Sequence, residues 1–245
     1  MSKKLANKIA VVTGGSAGIG LGAAKRLAEE GAQVFITGRR QSELDKAAAE
    51  IDRNVTAIHG DASKLADLDR IYAMVKEKAG RIDVLFANAG TYEFGTLGKI
   101  TEEHFDKIFD TNARGLLFTV QKALPLLSDG ASVILTGSIA SSFGIPSMSV
   151  YSASKAAVRS FARSWILDLK ERGIRVNVLS PGHTATPGLN VLLDEKEQAG
   201  LAPTIPLRRL GTADDLGKAA VFLASEDSAY ITGTELVVDG GVTQS

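Results

Sequence analysis

The 245-residue chain is 44% hydrophobic and 23% charged, which is enough to bury one substantial core, and its formal net charge at pH 7 is zero. Such a balance does not favour nucleic acid or an acidic membrane as partner, so we expect a small-molecule ligand. The absence of cysteine excludes disulfides and thiolate chemistry, and it fits a reducing compartment.

The chain reads as one domain over residues 1–245, because no linker composition interrupts it. No apolar run is long enough for a signal core or a bilayer span, so the sequence predicts a cytoplasmic protein without a membrane partner. His59, His104 and His183 lie far apart without metal-ligand spacing, and we therefore predict no metal site.

The chain begins with a strand, a glycine-rich turn and a helix. Ile9 to Val12 is a short apolar run typical of a buried parallel strand, and apolar residues recur at helical spacing from Leu21 to Gly31. The first N–H groups of a helix placed in this way lack partners and form an anion site. A tight glycine turn without a ligand would give the same local pattern.

The spacing Thr13-Gly14-x-x-x-Gly18-x-Gly20 resembles the cofactor loop of the short-chain dehydrogenase/reductase family. The resemblance implies a single-domain α/β Rossmann fold with a doubly wound, seven-stranded parallel sheet of order 3-2-1-4-5-6-7 and helices on both faces. It also implies that a dinucleotide contacts Gly14, Ser16, Gly18, Ile19 and Gly20.

The second strand, Gln33 to Thr37, precedes a helix at 41–51. A dinucleotide fold places the adenosine ribose at the end of this strand, where an acidic residue would hold a free 2′-hydroxyl. Here Arg39 and Arg40 follow and no acid is present, so we predict that the cofactor is NADP(H), with its 2′-phosphate held by both guanidinium groups. The alternative is that both arginines are ordinary surface charges.

A third strand at 54–59 leads to Asp61 and Ala62, before a helix at 64–78. The resemblance implies that Asp61 hydrogen-bonds the adenine and that Ala62 contacts the cofactor, although a helix-capping role fits Asp61 equally well. The fourth strand, at 82–87, ends in Asn88-Ala89-Gly90. By resemblance, this signature braces the central sheet and lines the cofactor cleft.

The pattern predicts one long helix over 102–127, with Asn112 in its middle, and a fifth strand at 132–136 followed by Ser138. Asparagine is a poor helix former, and one explanation is a side chain that bonds backbone at a kink. The resemblance implies that Asn112 also holds a water in a proton path and that Ser138 holds the substrate oxygen.

Tyr151 and Lys155 open a helix that we expect to end near Glu171, and their spacing of four places both side chains on one helix face. Such a pair is common by chance, but the preceding motifs occur in the family's order over essentially the whole chain. The resemblance implies that Tyr151 is the general acid/base, that Lys155 bonds the nicotinamide ribose, and that both contact the cofactor. We expect the Lys155 ammonium, helped by the positive nicotinamide of the oxidised cofactor, to lower the pKa of the Tyr151 phenol.

A sixth strand at 174–179 precedes a loop that, by resemblance, carries the nicotinamide on Pro181, Gly182, Thr184 and Thr186. Three leucines at helical spacing then predict a short amphipathic helix in a substrate lid over 187–206. A helix at 212–225 and a seventh strand at 235–238 complete the chain. The family pairs subunits through this edge strand and through the long helices, which implies a homotetramer.

Several blocks, including the one from Val84 to Gly90, are similar to bacterial NADPH-dependent alcohol dehydrogenases of this family that reduce bulky ketones. The similarity implies interconversion of an uncharged hydrophobic ketone and a secondary alcohol. The predicted pocket residues are Ile139, Ser141, Phe143, Ile145, Met148 and Val150, with the lid leucines Leu189, Leu192 and Leu193.

Two alternatives remain open at this stage. A 3-oxoacyl-carrier-protein reductase would use the same four catalytic residues on a tethered substrate and would need a basic patch. A non-catalytic NADP-binding regulatory protein would have lost Tyr151 or Lys155, and both are present. The basic residues that could contribute to such a patch lie on helices that the family buries between subunits, and they are Arg114, Lys122, Arg159 and Arg163.

Overall fold

The computed structural model describes residues 3–245. Within them, seven strands form one parallel sheet in the order β3-β2-β1-β4-β5-β6-β9, which confirms the predicted doubly wound fold. Two short strands pair beside it, β7 (Thr184–Ala185) with β8 (Gly211–Thr212). The sheet strands are β1 (Ile9–Val12), β2 (Gln33–Gly38), β3 (Val55–His59), β4 (Ile82–Ala87), β5 (Leu127–Thr136), β6 (Arg175–Pro181) and β9 (Glu235–Val238).

Helices cover both faces of the sheet, because each crossover between parallel strands carries one. Tyr72, Val120 and Val158 bring three helices to one face, and Leu27, Leu44 and Leu216 bring three to the other. The helices are α1 (Gly18–Glu29), α2 (Gln41–Ile51), α3 (Leu65–Ala79), α4 (Glu102–Phe109), α5 (Leu116–Ala123), α6 (Ser149–Asp168), α7 (Pro187–Leu192), α8 (Glu195–Leu201) and α9 (Ala213–Ala224). None of these helices is long and apolar enough to cross a membrane.

The prediction of one continuous helix over 102–127 was wrong. A π-helical segment, Asp110–Gly115, separates α4 from α5, and the helical run ends at Ala123. Strand β5 then starts at Leu127 rather than at 132, because Leu127 already pairs with Ile82 across a register shift in β4. Such local departures from α geometry frequently occur at functional sites.

Two other helices in the structure also differ from the predicted ones. Helix α6 ends at Asp168, and a 3-10 turn with Gly173 at φ +60° follows it, so the predicted end near Glu171 was too late. The predicted lid contains two short helices rather than one. Helix α7 ends at Leu192, and α8 starts anew because Asp194 and Glu197 form a reciprocal capping box.

Candidate active site

A cleft of about 490 Å³ lies at the carboxyl ends of β1, β4, β5 and β6, where parallel sheets of this topology hold their ligands. Most of the predicted site residues meet here, although they come from five separate stretches of the chain. Those lining the cleft are Gly14, Gly18, Ile19, Gly20, Asn88, Ala89, Gly90, Ser138, Tyr151, Lys155, Pro181, Gly182, Thr184 and Thr186.

The glycines of the loop after β1 let the backbone pack closely, because they lack side chains. Gly14 has φ +66°, and a Cβ there would lie 3.0 Å from the Cα of Ala89. A Cβ on Gly20 would lie 2.2 Å from the carbonyl oxygen of Gly14. The N-cap residue of α1, Ala17, makes no side-chain capping hydrogen bond. The N–H groups of the first turn of α1 are therefore available to bind an anion in the cleft. This cradle fits the pyrophosphate of a dinucleotide.

The Asn88-Ala89 turn is fixed to β1 by hydrogen bonds. The buried Thr13 hydroxyl oxygen accepts from the backbone N–H groups of Asn88 and Ala89, at 3.0 and 3.1 Å. The Asn88 amide donates to the Thr13 carbonyl at 3.0 Å, and its oxygen accepts from the Thr136 hydroxyl at 3.2 Å. Side chains and backbone from β1, β4 and β5 thereby form one rigid floor for the cleft.

Tyr151 and Lys155 both face the cleft from the first turns of α6. The Lys155 Nζ lies 5.8 Å from the centroid of the Tyr151 ring and donates a hydrogen bond to the Thr136 carbonyl at 2.8 Å. Lys155 is only 3% exposed, and burial lowers its pKa to about 8. The ammonium form therefore still predominates at pH 7.

The pKa of Tyr151 is raised, and the predicted lowering was wrong. Burial raises the pKa of Tyr151 above its usual value, the interaction with the Ser138 hydroxyl lowers it, and the nearby Tyr92 raises it. The Lys155 ammonium is directed to the Thr136 carbonyl rather than to the phenol oxygen, so it does not offset the cost of burying a phenolate.

Asn112 lies in the π-helical segment and connects it to the loop after β4. Its side-chain oxygen accepts from the Thr91 N–H, and its amide donates to the Thr91 carbonyl, both at 2.8 Å. The same amide donates to the Ser154 hydroxyl at 3.0 Å. The side chain does bond backbone, as the sequence predicted, but the backbone belongs to another segment. Asn112 is fully buried and lies behind the cleft wall.

The turn that carries Ser138 is supported by an ion pair that the sequence did not reveal. Ser141 donates its hydroxyl to the Ser138 carbonyl at 2.8 Å and lies 3.4 Å from a carboxylate oxygen of Glu235. That oxygen accepts from the Ser180 hydroxyl at 2.6 Å, and the other oxygen lies 2.6 Å from the Arg159 Nε. The sequence named Arg159 only as a possible contributor to a carrier-protein patch, and it gave no sign of this pair because the two charges lie 76 positions apart.

Five predicted cofactor residues lie outside the cleft-lining set. Asp61 accepts from the N–H and the hydroxyl of Ser63, at 3.0 and 2.8 Å, in a turn before α3, whose N-cap is Lys64. Ser16 packs against Gly38 at the end of β2, where the two arginines are exposed. The five residues are Ser16, Arg39, Arg40, Asp61 and Ala62.

The substrate side of the cleft is mostly apolar, and the predicted residues Ile139, Ile145, Met148, Leu189, Leu192 and Leu193 line it. Three predicted pocket residues do not line the cleft. Ser141 turns toward Ser138 and Glu235, Phe143 is 40% exposed, and Val150 is buried in the first turn of α6.

The sequence reasoning missed three residues that follow β4: Thr91, Tyr92 and Phe94 line the cleft. The position of this loop was a signal that could have found them, because it leaves the carboxyl end of a central strand. His183 in the loop after β6 was also missed, and burial lowers its pKa.

Comparisons with known proteins agree with this architecture. A family model described as Enoyl-(Acyl carrier protein) reductase matches residues 14–243. The chain is 49% identical over 244 residues to Oxidoreductase asL5 of Sarocladium schorii, covering 99% of this chain and 98% of that protein. It is 35% identical to human Dehydrogenase/reductase SDR family member 4, covering 97% and 88%. The crystal structure of a short-chain type dehydrogenase/reductase from Mycobacterium marinum superposes with a TM-score of 0.93 at 32% identity, covering 100% and 98%.

Proposed function

The chain belongs to the short-chain dehydrogenase/reductase family of oxidoreductases, and we propose that it interconverts a ketone and a secondary alcohol with NADP(H). Members of the family use NAD or NADP. The observation that carries the proposal is the meeting of Tyr151, Lys155 and Ser138 with the glycine cradle in one cleft whose remaining wall is apolar.

The chemistry that the cofactor supplies, when bound, is transfer of a hydride to or from the substrate carbon. Tyr151 donates a proton to the substrate oxygen in reduction and accepts one in oxidation. Because burial raises the pKa of Tyr151, the resting phenol is protonated and ready for the reductive direction. Ser138 hydrogen-bonds the substrate oxygen, and Lys155 would hold the nicotinamide ribose. Asn112 holds Thr91 at the cleft wall and, in this proposal, contributes to the proton path.

Replacement of Tyr151 by phenylalanine tests the catalytic role. We expect Tyr151→Phe to reduce turnover by a factor of at least about 1,000 while NADPH still binds, because only the proton donor is lost. NADPH oxidation is followed by absorbance and cofactor binding by fluorescence. Tyr230→Phe, at a fully exposed tyrosine, is the matched control and should leave both unchanged. Near-normal turnover of Tyr151→Phe would contradict the mechanism.

The preference for NADP(H) is supported by Arg39 and Arg40 and by the absence of an acid at the end of β2. Each charge-assisted contact is worth about 1.5–3 kcal/mol, so we expect Arg39→Ala/Arg40→Ala to weaken NADPH binding about 100-fold or more. NADH binding should change little, because it lacks the 2′-phosphate. Arg53→Ala, at an exposed arginine beyond the far end of α2, is the control. An unchanged preference for NADPH over NADH would show that these arginines are surface charges.

The substrate is proposed to be a bulky, uncharged ketone or secondary alcohol, because six aliphatic side chains and the aromatic Tyr92 and Phe94 line that side of the cleft. The name of the matching family model keeps a carrier-protein reductase as the second candidate. Much of its required basic patch is neutralised, since Arg159 pairs with Glu235 and Lys122 pairs with Asp69. Activity on an acyl-carrier-protein substrate exceeding activity on free ketones would favour the second candidate.

A homotetramer is proposed on the family expectation, since members are typically oligomeric. Stacked aromatic pairs on two helices support it: Phe105 with Phe109 on α4 and Phe161 with Trp165 on α6. Phe105 is 44% exposed and is available to an interface between subunits. Sedimentation of the purified protein at micromolar concentration tests the assembly.

A cytoplasmic location also stays a prediction of the sequence.

A further inference from the structure

Tyr92 is a second phenol in the cleft, and the proposed chemistry does not use it. Its ring meets the Tyr151 ring edge-on, with centroids 6.0 Å apart and an interplanar angle of 85°. The side chain is half-buried, and burial raises its pKa, so the hydroxyl is neutral near pH 7. Tyr92 therefore presents a rigid aromatic wall with a polar tip beside the proposed proton donor.

The backbone on both sides of Tyr92 is anchored. The N–H and the carbonyl of Thr91 both bond the buried Asn112 side chain at 2.8 Å. On the other side, the Gly95 N–H donates to the Ser147 carbonyl at 2.7 Å. A backbone shift that withdraws Tyr92 from the cleft would therefore break these hydrogen bonds.

The hydroxyl of Tyr92 lies against Gly188, the one glycine of α7. A Cβ built on Gly188 would lie 2.4 Å from the Tyr92 hydroxyl oxygen and 3.5 Å from Cζ. Real Cβ atoms essentially never lie closer than 3.0 Å to such a neighbour, so an alanine at 188 would displace one of the two groups. The next residue, Leu189, lines the cleft, and its N–H donates to the Thr186 hydroxyl that caps the helix. The lid approaches the Tyr92 wall this closely only because residue 188 has no side chain.

We propose that Tyr92 is a specificity-determining residue, whose hydroxyl sets the position of α7 over Tyr151 and thereby limits the size of the ketone that enters. The claim that Tyr92 limits the size of the ketone rests on the proposed ketone reduction. The claim that Tyr92 contacts Gly188 and positions α7 does not rest on it. A double-mutant cycle separates the contact from other effects, because the hydroxyl is the atom that a Cβ at 188 would meet.

The cycle compares the wild type, Gly188→Ala, Tyr92→Phe and the double variant, with NADPH and two ketones, 2-butanone and 1-phenylpentan-1-one. We expect Gly188→Ala to displace α7 and raise the ratio of kcat/KM for the bulky ketone over the small one about fivefold. In the Tyr92→Phe background, the same substitution should change the ratio less than about twofold, because the obstructing oxygen is gone. The same change of ratio in both backgrounds, or none in either, overturns the proposal.

Amide hydrogen exchange of residues 187–193 gives a readout independent of activity. Gly188→Ala should accelerate exchange there about threefold or more, and adding Tyr92→Phe should restore protection. Gly200→Ala is the matched control for the intrinsic helix preference of alanine, since a Cβ at 200 meets nothing within 4 Å and α8 does not line the cleft. If the wild type reduces neither ketone, the proposed function fails, and the exchange cycle still decides the contact: equal exchange in both backgrounds refutes it.

Discussion

The hydroxyl oxygen of Thr13 offers a test of how the cleft floor is held. It accepts from two backbone N–H groups, those of Asn88 and Ala89, and Thr13 is only 1% exposed. Thr13→Val keeps the shape of the side chain and removes this acceptor. Leaving one buried donor unpaired costs about 1–3 kcal/mol, and both donors belong to half-buried residues that water can partly reach, so we expect a total loss of about 2–3 kcal/mol.

Thr13→Ser is the matched variant, because it keeps the oxygen and loses one buried methyl group, at a cost of about 1 kcal/mol. Urea unfolding at fixed protein concentration, with equal denaturant slopes, measures both free energies of unfolding. NADPH affinity should fall in Thr13→Val and persist in Thr13→Ser, since the Asn88-Ala89 turn lines the cofactor side of the cleft. Equal or greater stability of the valine variant would refute the reasoning.

Two other features give measurable effects. Glu235→Ala should lower the free energy of unfolding by about 2 kcal/mol in the same urea titration. This value lies between those for exposed and buried ion pairs, because the Arg159 side chain is 33% exposed and the Glu235 side chain is 15% exposed. The exposed partner of Lys25, Glu50, is the control, and Glu50→Ala should cost less than about 1 kcal/mol; equal losses would contradict the argument. For Lys155, burial lowers the pKa from 10.5 to about 8, so between these values the unfolded chain holds a proton that the native state has released. The free energy of unfolding of the wild type minus that of Lys155→Met should therefore increase from pH 8 to pH 10, and a constant difference would contradict the shifted pKa.

The order of the fold was readable from the sequence because it depends on local patterns. Short β-branched runs, helical spacing and glycine turns alternate along the chain, and parallel crossovers allow few arrangements of such units. The motif residues Gly14, Asn88, Ser138 and Thr184 each lie within three residues of the end of a sheet strand, so placing them at the carboxyl edge of one sheet required no knowledge of side-chain packing.

Side-chain direction and long-range pairing were decided only by the tertiary structure. The pattern placed Ser141, Phe143 and Val150 in the pocket, but each points elsewhere. The Arg159–Glu235 pair joins α6 to β9 across positions that no local pattern relates.

The sign of the pKa shift at Tyr151 also required the folded chain. Spacing places Lys155 on the same helix face as Tyr151, but hydrogen bonding directs its ammonium to the Thr136 carbonyl, and burial then raises the phenol pKa. Likewise, the closeness of Tyr92 and Gly188 arises because the loop after β4 and helix α7 meet at the cleft. Local composition determined the order of strands and helices, whereas burial and the contacts among distant residues determined the electrostatics and the shape of the site.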